Sequence, residues 1–515
     1  MIDARRSGAP ALCCIVLVFS LLGACALAPA GNELPHGAAL PPAEEGLLHE
    51  YAELIGSRLG ARESAYWLLD RAQFSLVARL ALVDHAVASL DLQYFIWEKD
   101  SSSRLFARRV LHAAERGVRV RLLLDDLTLS GHETEFAALG THPNIDVRTF
   151  NPWSNRSTFG RVVEFVFRFG RLNHRMHNKT VLADGHFAII GGRNIGDRYF
   201  GVYDRFVQND LDIMAAGPIV EDVIDSFDLY WNSGQTYPLE AVAPRRSARG
   251  ELEAATQLFE TSYLTERARL QAYALEPGDW RGHFERLADS FAAGTGTYVH
   301  DLPIVRGGRP DQLYAEFKEF VSGARRELLI STAYFIPDEG FVARLEALRA
   351  RGVRIVVVTN SLASNNHTIA HAGYKRWRKR LVTAGIEVYE SRADSGAIED
   401  YATPPITPGF LGLHSKAAVV DGRFAFVGSP NVDPRSMIYN TENGFFVDSS
   451  ELAARVTALI ERDTDPANAW RVTLNERGAL RWTSERGTVK RQPALSFRQR
   501  IAEFFINLLP FKNQA

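Results

Sequence analysis

His177-Asn178-Lys179, followed by Asp184 and by Gly191-Gly192-Arg193-Asn194, decides how this chain is read, because a second copy stands downstream. There His414-Ser415-Lys416 is followed by Asp421 and by Gly428-Ser429-Pro430-Asn431. In both copies lysine follows histidine by two positions, aspartate by seven and asparagine by seventeen. One His-x-Lys alone usually marks an exposed strand edge. A whole motif repeated at fixed spacing marks a duplicated half-site, and two such halves can furnish one active site with two histidines and two lysines.

The duplication reaches upstream of both motifs. Ser89-Leu90-Asp91-Leu92-Gln93-Tyr94-Phe95-Ile96 alternates like a strand and ends in aromatic and β-branched residues. A helix pattern (Leu105, Val110, Leu111, Ala114) follows, and then Arg116-Gly117-Val118 opens an apolar strand to Leu124. In the second half Leu328 to Ile336, containing Tyr334-Phe335-Ile336, predicts the strand and Val342 to Leu348 the helix. Arg351-Gly352-Val353 opens the next strand, to Val358. Residues 145–150, 211–215, 386–389 and 445–447 predict further strands. The fold class is therefore α/β with an internal duplication, its two similar domains at residues 47–238 and 298–475. Residues 239–297 carry helical periodicity and read as connecting helices. Residues 476–515 form a C-terminal segment with an amphipathic helix pattern.

Residues i and i+2 of a strand face the same way, so His177 with Lys179, and His414 with Lys416, predict the lining of one pocket. A neutral imidazole can attack phosphorus and form a phosphohistidine. The opposite histidine, protonated, gives its proton to the departing alcohol. The lysines offset charge on the non-bridging oxygens. Asn194, Ser429 and Asn431 offer neutral donors to phosphoryl oxygens. Each histidine also needs its second nitrogen held by an acid. Asp210, with Asp212 as its alternate, and Glu442 are the candidates, and spacing leaves open which acid serves which histidine. Asp184 and Asp421 belong to both motif copies, yet each precedes a glycine and suits a turn. No metal-ligand cluster stands out in the sequence, so neither a metal nor another cofactor is expected.

The 515 residues allow two domains with cores of their own, and 46% hydrophobic with 23% charged residues is an ordinary globular balance. A net charge of -2 gives no global positive field, so nucleic acid is not an expected partner. The first residues differ: Arg5 and Arg6 precede an apolar run from Ala11 to Leu22, too short for a spanning helix and suited to a signal peptide over residues 1–25. Leu22-Gly23-Ala24-Cys25 resembles a bacterial lipobox, and the resemblance implies lipidation at Cys25 and a membrane-anchored lipoprotein of the cell envelope, facing the periplasm. The three cysteines, Cys13, Cys14 and Cys25, all lie here. Residues 26–46, rich in Pro, Ala, Gly and Glu, read as a flexible tether.

The two His-Lys-Asp motifs resemble the signature of the phospholipase D superfamily, and the resemblance runs from about Glu45 to near the end. It implies two similar α/β domains packed face to face with one active site at their interface. His177 would be the nucleophile and His414 the general acid/base, with Lys179, Lys416, Asp184 and Asp421 as motif residues. Tyr94-Phe95-Ile96-Trp97, Arg175-Met176-His177, Ile195-Gly196-Asp197 and Asn431-Val432-Asp433-Pro434-Arg435-Ser436 resemble the bacterial cardiolipin synthases, the C type in particular. That resemblance implies phosphatidyl transfer to phosphatidylglycerol with release of a head-group alcohol, phosphatidylethanolamine being a possible donor. Synthases of this family commonly carry amino-terminal membrane helices, which this chain replaces with a lipoprotein-like signal.

A lipid substrate requires access to a bilayer. Glu164 to Leu172 interleaves aromatics and arginines before the first motif, as a bilayer lip or a core segment would. Phe497 to Leu509 is an amphipathic helix pattern closed by Pro510, suited to docking on the body or on a bilayer. Lys375, Arg376, Arg378, Lys379 and Arg380 form a basic cluster, either a solvated helix face or a contact for anionic head groups. Competing functions are a hydrolase releasing phosphatidic acid, a phosphodiesterase or nuclease, and a catalytically idle scaffold. The complete motif pair argues against the last.

Overall fold

A computed structural model describes residues 36–129, 133–242, 250–273, 278, 280–303, 312–365 and 368–508. Cys25, the signal segment 1–25 and the chain after Leu508, with Pro510, lie outside the described residues.

The first half contributes strands β1 (Ser64–Leu69), β2 (Ser89–Tyr94), β3 (Arg119–Asp125), β4 (Ile145–Phe150), β5 (Arg175–Met176), β6 (Thr180–Ala183), β7 (Phe187–Gly191), β8 (Val207–Asn209), β9 (Asp212–Ala216) and β10 (Thr236–Pro238). The second contributes β11 (Ala292–His300), β12 (Glu327–Thr332), β13 (Arg354–Asn360), β14 (Glu387–Ser391), β15 (Leu411–Leu413), β16 (Lys416–Val420), β17 (Phe424–Gly428), β18 (Asn440–Thr441), β19 (Asn443–Asp448), β20 (Ala469–Leu474), β21 (Leu480–Ser484) and β22 (Gly487–Val489).

In the first sheet the order β4-β3-β2-β6-β7-β9 is parallel through β2 and antiparallel beyond it. The second sheet repeats this as β14-β13-β12-β16-β17-β19. Between them β11 pairs with β1 through Ala292–Gly294 and with β19 through Thr295–His300, so one strand serves both sheets. The stretch 239–297, read as connecting helices, thus contains helices (Leu239–Val242, Glu251–Thr265, Arg281–Ala288) but passes into β11 at Ala292.

Alternation along the strands builds three apolar layers. In β6, Val181 and Ala183 face the helices Ala72–His85 and Ser101–Glu115, while Leu182 faces the other sheet. In β16, Ala417 and Val419 enter that same middle layer, while Ala418 and Val420 face the helices of the second half. The middle layer holds Leu329, Val356 and Val427 from the second sheet and Leu123, Ile190 and Ile213 from the first, so both sheets bury each other. At about 1.5–3 kcal/mol per buried aliphatic side chain, this layer is a major source of cohesion between the halves. Corresponding helices even start alike: Asp100 caps Ser103 N at 3.2 Å and Asp338 caps Phe341 N at 2.7 Å.

The repeats align differently from their aromatic triplets. Leu90 pairs with Ala183 and Leu328 with Val420, partners that each lie six residues past their histidine. Tyr94 therefore corresponds to Thr332 and Trp97 to Phe335, which make matching bridges to Ile195 and Val432. Tyr334-Phe335-Ile336 sits two residues further along than Tyr94-Phe95-Ile96, and β12 ends at Thr332 rather than Ile336. A shift of two leaves every side chain on its face, so the pattern alone accommodates either register.

Residues 36–46 were expected to be free tether, and they lie instead along the first half. Gly37 N donates to Asn232 Oδ1 at 3.0 Å, Ala39 N to Asp228 Oδ2 at 2.8 Å and Ala43 N to the Asp184 carbonyl at 3.0 Å. At the other end, β21 and β22 extend the second sheet beyond β20 before the helix Phe497–Leu508.

Candidate active site

Neither histidine lies within a long strand. His177 to Lys179 link β5 to β6, and His414 with Ser415 link β15 to β16, whose first residue is Lys416. The cause is a pairing between halves. β5 lies parallel to β18, with Arg175 opposite Asn440 and Met176 opposite Thr441, and His177 N donates to the Thr441 carbonyl at 2.9 Å. β15 lies parallel to β8, with Leu413 opposite Asn209, and Ser415 N donates to the Asn209 carbonyl at 2.9 Å. Each short ladder brings in the residue that follows the partner strand: Glu442 after β18 and Asp210 after β8.

The acids are therefore exchanged between halves. His177 Nδ1 bonds Glu442 Oε2 at 2.8 Å, and His414 Nδ1 bonds Asp210 Oδ2 at 2.6 Å. An ionised carboxylate only accepts, so Nδ1–H is the donor in both, and each Nε2 keeps its lone pair. Asp212, the alternate to Asp210, belongs to a different network: its carboxylate takes Arg79 at 3.0 Å, Arg193 at 3.3 Å and the Ser75 hydroxyl at 2.6 Å.

Burial sets the protonation states. It pushes His177 down to about 4 despite Glu442, with Lys179 and Lys416 adding to the fall. Burial, then the Lys416 charge, pushes His414 down to about 3 against the opposing pull of Asp210. Burial alone would raise Glu442 and Asp210, but their histidine and lysine neighbours hold both at about 2. In each pair the carboxylate stays ionised and the imidazole neutral at pH 7. Lys179 falls to about 7, chiefly through burial, and Lys416 is lowered for the same reason. Both ammonium groups donate back to the carbonyl of their own histidine, which keeps them beside the imidazoles.

The motif residues divide into those that meet and those that do not. Asp184 and Asp421 were grouped with the catalytic residues, and the structure does not bring them to the histidines. Both lie at the far ends of β6 and β16 with φ of 53° and 55°. Asp184 accepts from Val87 N and Ala88 N at 2.8 Å and Ser89 N at 2.9 Å, folding the turn that enters β2. Asp421 does the same for Arg325, Arg326 and Glu327 before β12. Six residues thus separate each histidine from a backbone clamp, four of them in β6 and five in β16.

Two expected phosphate donors are also occupied. Ser429 Oγ donates to Glu442 Oε2 and accepts from Asn443 N at 2.9 Å, so it steadies an acid. Asn194 accepts from Ile96 N and donates to the Tyr199 hydroxyl, both at 3.0 Å. Asn431 is buried, its side-chain oxygen without a hydrogen-bond partner. Gly192 takes the place of Ser429 in the first half. A Cβ there would stand 2.1 Å from Asp210 Oδ1, so glycine is needed for Asp210 to fit.

Sequence reasoning gave no role to the ring walls. Phe95 stands edge-on to His177 at 4.9 Å between centroids and carries Lys179 Nζ 5.5 Å from its centroid. Tyr199 stands edge-on to His414 at 5.7 Å. Asp433, raised to about 6 by burial, is near enough to Lys416 and Glu442 to feel both charges. Phe95 and Asp433 lie in stretches that stood out in the sequence, and Tyr199 gave no signal there.

A crosswise pair of neutral, acid-held imidazoles beside two buried lysines has the groups that phosphodiester chemistry through histidine requires. The family described as "Cardiolipin synthase, PLD-like domain" matches residues 80–231 and 317–464, one match per half. The chain belongs to this family, an enzyme family of phospholipase D-like phosphatidyltransferases with two copies of the domain. It is 35% identical over 463 residues to cardiolipin synthase C of Escherichia coli (strain K12), covering 86% of this chain and 94% of that one. Cardiolipin synthase B of the same strain is 27% identical over 375 residues, 73% of this chain and 74% of the other. Among solved structures, a phosphatidylserine synthase from Haemophilus influenzae Rd KW20 shares the fold, with a TM-score of 0.53 at 14% identity over 80% of this chain and 90% of that one. Among the described residues no helix is long and apolar enough to cross a membrane.

Proposed function

We propose that the protein is a cardiolipin synthase that passes a phosphatidyl group to phosphatidylglycerol through a phosphohistidine on His177. The observation that carries the mechanism is the crosswise pairing, His177 with Glu442 and His414 with Asp210. With Nδ1–H held by Glu442, His177 directs its Nε2 lone pair at the phosphorus of the donor lipid. The phosphorus–oxygen bond to the head group breaks as a nitrogen–phosphorus bond forms, and His414 delivers a proton to the departing oxygen. The incoming phosphodiester anion raises the proton affinity of His414, which burial otherwise depresses. In the second step neutral His414 takes the proton from the phosphatidylglycerol hydroxyl. Its oxygen attacks phosphorus, the nitrogen–phosphorus bond breaks, and cardiolipin leaves. Lys179 and Lys416 offset charge on the non-bridging oxygens in both steps. Phosphatidylglycerol as acceptor, phosphatidylethanolamine as a possible donor, and anchorage through acylated Cys25 on a periplasm-facing membrane belong to the same proposal.

The test is to incubate the purified protein with phosphatidylglycerol, with and without phosphatidylethanolamine, and to follow lipid products beside a parallel DNA digestion. Cardiolipin is expected. Phosphatidic acid alone would replace the synthase with a hydrolase, and cleavage of DNA without lipid turnover would overturn both.

A further inference from the structure

Two helices present apolar side chains to solvent, and each is fixed close to one of the histidines. Helix Thr158–Phe167 exposes Phe159, Val162, Val166 and Phe167, by 60 to 80% of their surface. It is capped by Ser157, whose hydroxyl accepts from Gly160 N at 3.1 Å. Its polar side is tied down, with Glu164 bridging Arg168 and Arg171 at 3.7 and 2.9 Å. From Arg171 the chain needs only six residues to reach His177, and Asn151 anchors that approach by donating to the carbonyls of Arg171 and His174 at 2.9 and 2.8 Å.

The second helix, Phe497–Leu508, exposes Phe497, Ile501, Phe504 and Phe505. Its polar side docks on the body: Glu503 takes Lys375 Nζ at 3.0 Å and Gln499 Nε2 donates to the Leu362 carbonyl at 2.6 Å. Leu362 lies two residues past Asn360, whose amide exchanges hydrogen bonds with both backbone groups of Leu413, the residue before His414. Lys375, Arg376, Lys379 and Arg498 are exposed around this helix. The remaining members of the basic cluster point to other work: Arg378 is buried on Glu390, and Arg380 pairs with Glu339 and Glu346.

A soluble monomer gains nothing by leaving eight large apolar side chains in water on two helices. Both apolar faces suit a bilayer interface, where ring and aliphatic groups enter the acyl boundary, and the exposed cations around the second helix suit the phosphates of an anionic one. We propose that these two helix faces are the surface by which the protein docks on an anionic phospholipid bilayer, one beside each histidine, so that lipid enters the site from the docked side. The inference deepens the cardiolipin synthase reading and rests on it for the direction of lipid entry.

The experiment uses the full chain carrying Cys13→Ser, Cys14→Ser and Cys25→Ser, which removes acyl anchorage and frees the chain of other thiols. An environment-sensitive fluorophore is attached through Val166→Cys or Phe504→Cys, with Phe74→Cys, exposed on another helix, as the reference. Vesicles of phosphatidylethanolamine with about one-third phosphatidylglycerol, made with brominated acyl chains, are added. Labels at 166 and 504 should shift to the blue and lose at least about half their emission to bromine, while the label at 74 is unchanged. Unquenched labels at 166 and 504 would overturn the docking surface, even where cardiolipin is made. Labels already blue-shifted without vesicles would also overturn it, in favour of a second copy if dilution reverses the shift and of the chain's own amino-terminal segment if it does not. Quenching without any cardiolipin synthesis would keep the docking surface and reject the synthase reading. As a second measure, Phe504→Ser with Phe505→Ser should raise the apparent KM for vesicle phosphatidylglycerol about tenfold and leave turnover of detergent-dispersed lipid unchanged.

Discussion

Glu442 and His177 stand 265 positions apart in the chain and 2.8 Å apart at Oε2 and Nδ1. The bond selects the tautomer that leaves Nε2 free, and it exists only when the halves are assembled. Glu442→Gln should therefore keep the shape of the site while offering the imidazole an amide in place of a charge. Turnover is expected to fall roughly ten-thousand-fold with little change in thermal stability, the scale seen when a histidine's orienting acid is neutralised. Steady-state rates beside a melting curve check this, and a loss under tenfold would remove Glu442 from the mechanism.

The two histidines should fail in different ways. His177→Ala removes the attacking nitrogen, so no phosphorus label enters the protein and turnover drops at least about a thousand-fold. His414→Asn keeps the nucleophile but removes the proton donor and acceptor. Brief exposure to a donor lipid carrying a good leaving group should then leave an acid-labile, base-stable phosphohistidine. Label retained by the His177 variant would reassign the nucleophile.

Lys179, held at about 7 by burial, is charged below that pH and neutral above it. Affinity for vanadate, a mimic of pentavalent phosphorus, should weaken as pH rises through 7, and binding above pH 7 should take up protons. Lys179→Arg, charged throughout, should flatten this dependence. Isothermal titration in buffers of different ionisation enthalpy reads both quantities, and unchanged affinity between pH 6 and 8.5 would contradict the assignment.

Acid should unfold the protein early, for a reason that can be signed. His177 and His414 are lowered in the folded state to about 4 and about 3, against about 6.5 in an unfolded chain. Between those limits the unfolded chain binds more protons, so their contribution to stability is present above about pH 6.5 and is lost as pH falls through the folded values. Glu442 and Asp210, at about 2, extend the loss to lower pH. Melting temperatures should fall steadily below pH 6.5, and His177→Gln should make that fall shallower.

Asp184→Ala is expected to be a stability variant. It strips three backbone N–H groups of their acceptor. Ser89 N is buried and costs about 1–3 kcal/mol without an acceptor, while the Val87 and Ala88 groups are reached by water and cost less, so the melting point should drop by a few degrees. The protein that remains folded should turn over within a few-fold of the parent rate. A large loss of turnover at unchanged melting temperature would return Asp184 to the catalytic group.

The paired His-Lys motifs, the α/β plan and the duplication were legible because they are local: fixed spacings and period-two alternation need no knowledge of distant partners. The exchange of Asp210 and Glu442 was not, since each acid follows a strand of only two or three residues whose partner lies in the other half. Ala292–Thr297 read as part of the connecting segment because Gly294-Thr295-Gly296-Thr297 carries little apolar signal, although both sheets depend on the strand it opens. Ser429 and Asn194 looked like phosphate donors because residue type shows capacity to donate and nothing of where the bond goes. The glycines after Asp184 and Asp421 did mark the turns correctly.

Gly192 and Ser429 tie each half to its own acid: glycine leaves room for Asp210, and the hydroxyl holds Glu442. A dimer built from two copies of the first half would set Asp210, one methylene shorter than Glu442, opposite His177, with no hydroxyl to steady it. Two copies of the second half would give each histidine a Glu442 that keeps its own Ser429, and Asp210 would have no place in the site. Once the ancestral repeat was written into a single chain, each histidine came under its own set of codons. A symmetric pair became free to drift into two different reagents, and there is no longer a route back to symmetry that changes only one residue.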